Sequence, residues 1–321
     1  MEKDMKILAT PTSFLKPENA QARATLEAFA DEVVYNETGK PLQPEEILAR
    51  LEGVDGYVAG LDYITAEVIE KAPASLKVIS RYGAGVDRVD LPACKRRGII
   101  VTNTPGTNAV AVCELAFALM LCVARNIPRL HKAVEAGEWP RNEGMELSGK
   151  TLGIVGLGAI GKNLAKRAAA FGMTVVAYDP FFDEAFASAN NIAKKTMDEV
   201  VTTSDFVSLH VPLNDETKRM INADRIAKMK KGAVIINTAR GGLIDEEAAA
   251  QAVVSGQLGG LGLDAFEQEP LLVSPLKGLK NVIFTPHTGA HTAEAVKGMG
   301  IMAVDNIIKV LKGEKVSALV C

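Results

Sequence analysis

The segment from Thr151 to Asp179 constrains this chain more than any other. Thr151-Leu152-Gly153-Ile154-Val155 is an apolar run of strand length, and Gly156-Leu157-Gly158-Ala159-Ile160-Gly161 follows at once. Leu164, Ala165, Ala168 and Phe171 then recur at helical spacing, and Thr174–Tyr178 forms a second strand leading to Asp179, 18 residues beyond Gly161. A bare G-x-G-x-x-G pattern is weak. Between a strand and a helix, with an acid after the next strand, it specifies a parallel βαβ unit that binds a dinucleotide. Gly156 permits the tight turn, Gly158 lets the backbone approach a pyrophosphate, and Gly161 lets helix and strand pack closely. The helix N-terminus supplies free N–H groups and a positive dipole end. Asp179 can accept from ribose hydroxyls and repels a 2′-phosphate. Pro180-Phe181-Phe182-Asp183-Glu184 offers no cation to hold one, so NAD is expected over NADP. Gly156 to Lys162 also spells G-x-x-x-x-G-K, but Asn163 stands where a nucleotide-triphosphate loop needs Ser or Thr for magnesium, and the dinucleotide reading is preferred.

The same alternation of strand and helix extends along the chain and predicts two parallel-sheet α/β domains. The first set of strands is read at Lys6–Thr10, Glu32–Tyr35, Gly56–Ala59, Lys77–Ser80 and Ile99–Thr102. The second is read at Thr151–Val155, Thr174–Tyr178, Phe206–His210, Ala233–Asn237, Leu261–Asp264 and Val282–Thr285. A helix over Asn108 to Arg125 separates the sets and is apolar on nearly every face, so it must be covered on all sides. Two small domains would struggle to cover it, and a subunit interface, hence a homodimer, is expected there. Thr292 to Lys312 is again helical and is expected to return to the first domain. The expected division is 1–103 with 292–321 for a substrate domain and 104–291 for a dinucleotide domain, with two chain crossings that form a natural hinge.

Composition sets limits. The 321 residues are 48% hydrophobic, and the net charge of -3 is mixed along the chain, which gives no electrostatic footprint for nucleic acid. The basic run Cys94-Lys95-Arg96-Arg97 reads as a solvated helix end before Gly98. Leu115 to Ala124 is too short to span a bilayer, and Met1 to Met5 has no signal-peptide pattern, so no membrane partner is expected. Cys94, Cys113, Cys122 and Cys321 form no C-x-x-C pair, which fits a reducing, cytoplasmic setting.

Ligands of open α/β sheets bind beyond the carboxyl ends of the strands. In the second set those ends carry His210-Val211-Pro212, Asn237-Thr238-Ala239-Arg240-Gly241-Gly242, Asp264 with Glu269-Pro270 in the following loop, and Pro286-His287-Thr288-Gly289. His210 reads as a packed, hydrogen-bonded residue. Three of the others supply the parts for oxidising a hydroxy acid. An arginine fork holds a carboxylate, an imidazole takes the hydroxyl proton as hydride leaves, and a carboxylate fixes the imidazole tautomer. Arg240, His287 and Glu269 fit these roles in that order. His287 and His291 share the i, i+4 spacing of a metal pair, but His287 lies in a Pro/Gly turn and no H-E-x-x-H glutamate is present, so no metal is expected.

The chain resembles the D-isomer-specific 2-hydroxyacid dehydrogenases, and among them the phosphoglycerate dehydrogenases, over nearly its whole length. The resemblance rests on Arg81-Tyr82-Gly83-Ala84-Gly85-Val86-Asp87, Asn103-Thr104-Pro105-Gly106, Gly156 to Gly161, Asn237 to Asp245, Leu263-Asp264-Ala265-Phe266, Glu269-Pro270 and Pro286-His287-Thr288-Gly289. It implies a Rossmann-type NAD domain, a flavodoxin-like substrate domain with a cleft between them, and a dimer. It implies Arg240, Glu269 and His287 as the catalytic residues. It puts Ala159 and Ile160 at the pyrophosphate, Val211, Pro212, Thr238, Ala239 and Gly289 along the cofactor, and Asp264 at the nicotinamide amide. It also implies that the loop of Tyr82, Gly83, Ala84 and Gly85 offers N–H groups to the substrate carboxylate. The sequence departs from the phosphoglycerate pattern after the third strand, where Val58-Ala59-Gly60-Leu61 lacks the arginine expected for a phosphate, and Arg141 of a neighbouring subunit is the remaining cation. The sequence to Cys321 contains no segment read as a regulatory domain, so feedback by serine at such a site is not expected. The expected activity is hydride transfer between nicotinamide and C2 of a small 2-hydroxy or 2-keto acid. The alternatives are an NAD(H)-sensing binding protein on the same fold and a family member with formate or phosphite chemistry.

Overall fold

The structure, a computed structural model, describes residues 4–321; Met1–Lys3, the start of the N-terminal segment read above, lie outside the described residues. The chain forms two compact units. One contains the described residues up to Asn108 together with His291–Cys321, and the other is Ala109–Ala290. The boundaries therefore fall at 108/109 and 290/291, where the sequence reading placed 103/104 and 291/292. Residues 104–108 stay with the first unit because Thr104 is stapled to Gly83 in both directions: its N–H donates to the Gly83 carbonyl at 3.0 Å, and its hydroxyl accepts from the Gly83 N–H at 2.9 Å.

The first unit is built on five parallel strands: β1 (Lys6–Ala9), β2 (Glu32–Tyr35), β3 (Gly56–Ala59), β4 (Val78–Arg81) and β5 (Ile100–Thr102), in the order β2-β1-β3-β4-β5. Every residue of β3 and β4 is buried, which matches strands covered on both faces. The helix Ala293–Leu311 covers one face, with Ala295, Val296, Met299, Ala303, Val304 and Ile307 inward. Gly56 makes this possible, since a Cβ there would stand 2.8 Å from Ile307 Cδ1. The order is the flavodoxin-type doubly wound order, whose switch point lies between β1 and β3.

The second unit has seven parallel strands: β6 (Thr151–Val155), β7 (Thr174–Tyr178), β8 (Ala193–Lys194), β9 (Phe206–Leu209), β10 (Ala233–Asn237), β11 (Leu258–Leu263) and β12 (Val282–Phe284), in the order β12-β11-β10-β9-β6-β7-β8. Order reverses at β6/β9. Register pairs Val155 with Leu209, Leu209 with Asn237, Asn237 with Leu263 and Leu263 with Phe284. The residues that follow, Gly156, His210, Thr238, Asp264 and Thr285, therefore stand in one row along the carboxyl edge.

Two strand readings need correction, and the separating helix is partly covered within the chain. β11 begins at Leu258 rather than Leu261, because Gly259 and Gly260 are strand residues in close backbone contact, not a turn; a Cβ on Gly260 would stand 2.5 Å from the Asn281 carbonyl. β8 is only two residues long and carries no readable pattern. The separating helix is Ala109–Arg125, and ten of its 17 residues are buried within this one chain, among them Ala116, Phe117, Leu119, Met120 and Val123. Most of its apolar surface is covered by the helix Ala159–Ala170 and by strands β10 to β12 of the same chain, and Val110 remains exposed. No single helix among the described residues is long and apolar enough to cross a membrane.

Candidate active site

The glycine loop lies at the switch point of the seven-stranded sheet. Gly156 takes φ +99°, and a Cβ there would stand 2.6 Å from the His210 carbonyl oxygen. A Cβ on Gly161 would collide with the Gly156 carbonyl, so only glycine lets the helix Ala159–Ala170 start this close to β6. Gly158 is different, because a Cβ there meets nothing within 4 Å. The loop backbone is open on that side, at the N-terminus of the helix whose first turn holds Ala159 and Ile160. Asp179 joins the loop from the neighbouring strand end. Its Oδ2 accepts from the Leu157 N–H at 2.7 Å and its Oδ1 from the Phe181 N–H at 2.7 Å. The nearby cation Lys162 is committed to Asp183 at 2.5 Å.

Further along the row, Asn237 shapes the turn to Arg240. Its side chain accepts from the Ala239 N–H at 3.0 Å and donates to the Arg240 carbonyl at 2.6 Å, an Asx turn that the sequence reading passed over. Thr238 is buried and its Oγ1 has no hydrogen-bond partner among the described residues; the same holds for His210 Nδ1, while His210 Nε2 pairs with Ser208 Oγ at 2.9 Å. Burial pushes the His210 ring down to about 4, so this histidine is neutral. Buried polar atoms without partners at consecutive strand ends, beside an open glycine backbone, fit a ligand rich in hydroxyl and phosphate oxygens. Val211 and Pro212 continue this edge from β9.

The reactive pair comes from the last two strands. His287 Nδ1 lies 2.8 Å from Glu269 Oε1, with the two side chains 27% and 19% exposed. Glu269 Oε1 also accepts from the Phe266 N–H at 3.3 Å. His287 adopts φ +50°, the left-handed region, which a β-carbon makes costly and which surrounding contacts must hold. Asp264 supplies those contacts. Its Oδ1 accepts from the Thr285 hydroxyl at 2.6 Å and the Thr288 N–H at 2.8 Å, and its Oδ2 from the Gly289 N–H at 2.8 Å. The carboxylate is 1% exposed and brackets the His287 turn on both sides. The sequence reading gave Asp264 only a role toward the cofactor; the alternation Thr285-x-x-Thr288-Gly289 around a turn was the available signal for the second one.

Arg240 ends the β10 turn, with its guanidinium donating to the Ala239 carbonyl at 2.7 Å. Gly241 presses against the Phe266–Glu267 backbone so tightly that any Cβ would collide with it, which ties the arginine turn to the loop that leads to Glu269. Arg240, Glu269, His287 and Asp264 thus belong to one set of strand-end loops. Tyr82, Gly83, Ala84 and Gly85 belong to the other unit. There Gly83 takes φ +139°, Tyr82 is buried, Ala84 is exposed, and Asn103 Nδ2 donates to the Ala84 carbonyl at 2.7 Å. His291 is the first residue of the segment that packs with that unit.

A doubly wound sheet with a glycine turn at its switch point and a histidine–carboxylate pair at its far strand ends is the build of a dinucleotide-binding α/β protein. The chain belongs to the D-isomer specific 2-hydroxyacid dehydrogenase family, whose NAD binding domain matches residues 117–289. It is 44% identical to D-3-phosphoglycerate dehydrogenase of Methanocaldococcus jannaschii over 288 residues, 88% of this chain and 55% of that protein. It is 45% identical to hydroxypyruvate reductase of Thermotoga maritima over 280 residues, 85% of this chain and 90% of that protein. Its structure is similar to that of D-lactate dehydrogenase from Aquifex aeolicus complexed with NAD and lactic acid, with a TM-score of 0.83, 30% identity and 96% of each chain covered. The chain spans about half the length of the phosphoglycerate dehydrogenase it matches.

Proposed function

We propose that this chain is an NAD-dependent dehydrogenase that transfers hydride between nicotinamide and C2 of a small D-2-hydroxy or 2-keto acid. The observation that carries the reading is the 2.8 Å His287–Glu269 pair, held by Asp264 at the strand ends of an NAD binding domain. The bound dinucleotide supplies the hydride donor or acceptor. The protein's residues do the rest. Glu269 holds a proton on His287 Nδ1 and stabilises the imidazolium, which leaves Nε2 to exchange a proton with the substrate oxygen. In reduction, Nε2 gives its proton to the oxygen that becomes the hydroxyl; in oxidation it takes that proton back. Arg240 binds the substrate carboxylate and keeps C2 oriented, and the Tyr82–Gly85 loop of the first unit, taken by itself, offers backbone N–H groups suited to a carboxylate. Gly156, Gly158, Ala159, Ile160 and Gly161 would hold the pyrophosphate of the dinucleotide, Asp179 would accept from its ribose hydroxyls, and Val211, Pro212, Thr238 and Ala239 would line it.

We also propose a homodimer in a reducing, cytoplasmic setting. The dimer is supported by exposed apolar side chains on and beyond the helix Ala109–Arg125: Val110, Ile127, Val134 and Trp139, the last 77% exposed. The helix Ile127–Glu135 that carries two of them buries none of its residues. Light scattering of the purified protein tests this, and a monomer at micromolar concentration rejects it. The setting is supported by free thiols at Cys94 and Cys113 in the core.

The activity is tested by following NADH oxidation with hydroxypyruvate, glyoxylate, pyruvate and phosphohydroxypyruvate. Turnover of an unphosphorylated keto acid supports the proposal. Tight NADH binding without turnover of any of the four rejects it and favours an NAD(H)-sensing protein.

A further inference from the structure

The Tyr82–Gly85 loop is anchored from behind by a buried polar knot that the reaction itself does not use. The Tyr82 hydroxyl donates to the Val296 carbonyl at 2.7 Å, in the first turn of the helix Ala293–Leu311. It accepts from the Ser13 hydroxyl at 3.2 Å and from Asn19 Nδ2 at 3.2 Å. Asn19 Nδ2 also donates to the Ser13 carbonyl at 2.9 Å. Two acceptances and one donation use the full capacity of a phenol, so its direction is fixed. The Tyr82 ring is held edge-on to Phe14, with centroids 6.2 Å apart and planes at 84°.

A helical carbonyl points toward the residue four positions on. For Val296 that residue is Gly300, and the same carbonyl also takes the Tyr82 hydroxyl as a donor. A Cβ on Gly300 would collide with Asn19 Oδ1, and Asn19 is fully buried. Its Oδ1 has no hydrogen-bond partner among the described residues. A buried amide oxygen left unsatisfied is costly, and a protein keeps such a group where its other half does something. The same helix is pinned twice more on this side: Ser80 Oγ, on β4, donates to the Ala303 carbonyl at 2.8 Å, and Asn306 Nδ2 donates to the Asn103 carbonyl at 2.9 Å. β4 leads directly into the Tyr82 loop, and Asn103 holds its Ala84 carbonyl.

We propose that Asn19 and Gly300 are positioning residues for the substrate-carboxylate loop: Asn19 aims the Tyr82 hydroxyl, and Gly300 leaves the room in which the Asn19 amide sits. The inference rests on the loop's role in the proposed function. Val296 lies nine residues after His287 in the chain, in the helix with which the polypeptide re-enters this unit.

The test compares Asn19→Ala, Gly300→Ala and the double variant with the wild type, using hydroxypyruvate and glyoxylate, with NADH binding read separately by fluorescence. Each single variant is expected to raise KM for the keto acid about tenfold, with kcat changed far less and NADH affinity unchanged. The double variant is expected to be no worse than Asn19→Ala alone, because removing Asn19 removes the group that Gly300→Ala would strike. A third variant, Tyr82→Phe, should reproduce the KM rise without the steric change. A lower melting temperature with unchanged KM in folded Asn19→Ala and Tyr82→Phe would make the knot merely structural and overturn the proposal. Fully additive single variants would overturn the link between Asn19 and Gly300. If neither acid is turned over, the comparison is made with whichever of pyruvate and phosphohydroxypyruvate is; absence of wild-type turnover with all four would overturn the reading of the loop and this proposal with it, whereas turnover with unchanged KM in the variants overturns this proposal alone.

Discussion

Each of the two sheets has a buried aspartate at its carboxyl edge, and the two are built alike. Asp62 in the first unit and Asp264 in the second are both 1% exposed. Asp62 Oδ1 accepts from the Leu42 N–H at 2.7 Å, and its Oδ2 from the Tyr57 hydroxyl at 2.9 Å, the Gly60 N–H at 3.0 Å and the Thr10 hydroxyl. Asp264 likewise combines backbone N–H groups with a threonine hydroxyl. The difference lies in what the partners belong to. Those of Asp62 are the loops that close the β1/β3 switch point, where a Cβ on Gly60 would stand 2.9 Å from Pro11 Cα. Those of Asp264 flank His287. One carboxylate closes its sheet edge and the other presents a reactive side chain from it, so a satisfied buried carboxylate says nothing about function until its partners are named.

Three perturbations test this contrast. Removing the presented group should have the largest effect: His287→Ala is expected to lower kcat by about 10²–10⁴-fold with NADH affinity retained, measured by steady-state turnover and fluorescence titration. Loss of NADH binding in a folded variant would make His287 a structural residue. Removing the presenting carboxylate comes next. Asp264→Ala is expected to cost on the order of 10²-fold in turnover by letting the His287 turn relax. Asp62→Ala should leave kcat within a few-fold of wild type while lowering stability by on the order of 3 kcal/mol, read by urea unfolding, because it strands buried donors. Equal losses of turnover in the two variants would erase the contrast.

The smallest effect concerns pH. His210 is held down to about 4 by burial, below the usual histidine value near 6.5. Above about 6.5 both folded and unfolded forms carry the ring neutral, and its contribution to stability is complete. As pH falls from 6.5 toward 4 the unfolded chain takes a proton that the folded chain refuses, so stability is lost across that window. His210→Asn should shrink the difference between urea midpoints at pH 7 and pH 5. An unchanged difference would show that the open edge of the second sheet carries no such strain.

Much of this was legible in the sequence because strand, glycine turn, helix and acid follow one another within a few dozen residues. Local periodicity locates Thr151–Val155 and Thr174–Tyr178 to the residue. The start of β11 was not legible, since glycine reads as a turn when its neighbours in space are unknown; what gives Gly260 its reason, the Asn281 carbonyl, is 21 residues away. How much of the Ala109–Arg125 helix one chain covers was not legible for the same cause, because its partners, the helix Ala159–Ala170 and strands β10 to β12, come later in the chain. The Glu269–His287 pairing followed from chemistry, but the bracket around it did not, since Asp264 meets its donors across 21 to 25 residues. The polar knot of Ser13, Asn19, Tyr82 and Val296 spans more than 200 residues and left no local trace.

The split of the first unit between two stretches of chain has a consequence for synthesis. Domains generally fold as they leave the ribosome, N-terminal parts first. Here β1–β5 emerge early, yet the helix Ala293–Leu311 that covers β3 and β4 emerges only after the whole of Ala109–Ala290. The later-made unit is contiguous and can close while the earlier one still exposes Gly56, Ile7 and the back of Tyr82. The nascent chain must therefore carry an uncovered apolar sheet face through roughly two hundred residues of elongation, which makes that face the natural point of engagement for a holding chaperone and the first place where a stalled or truncated product would aggregate.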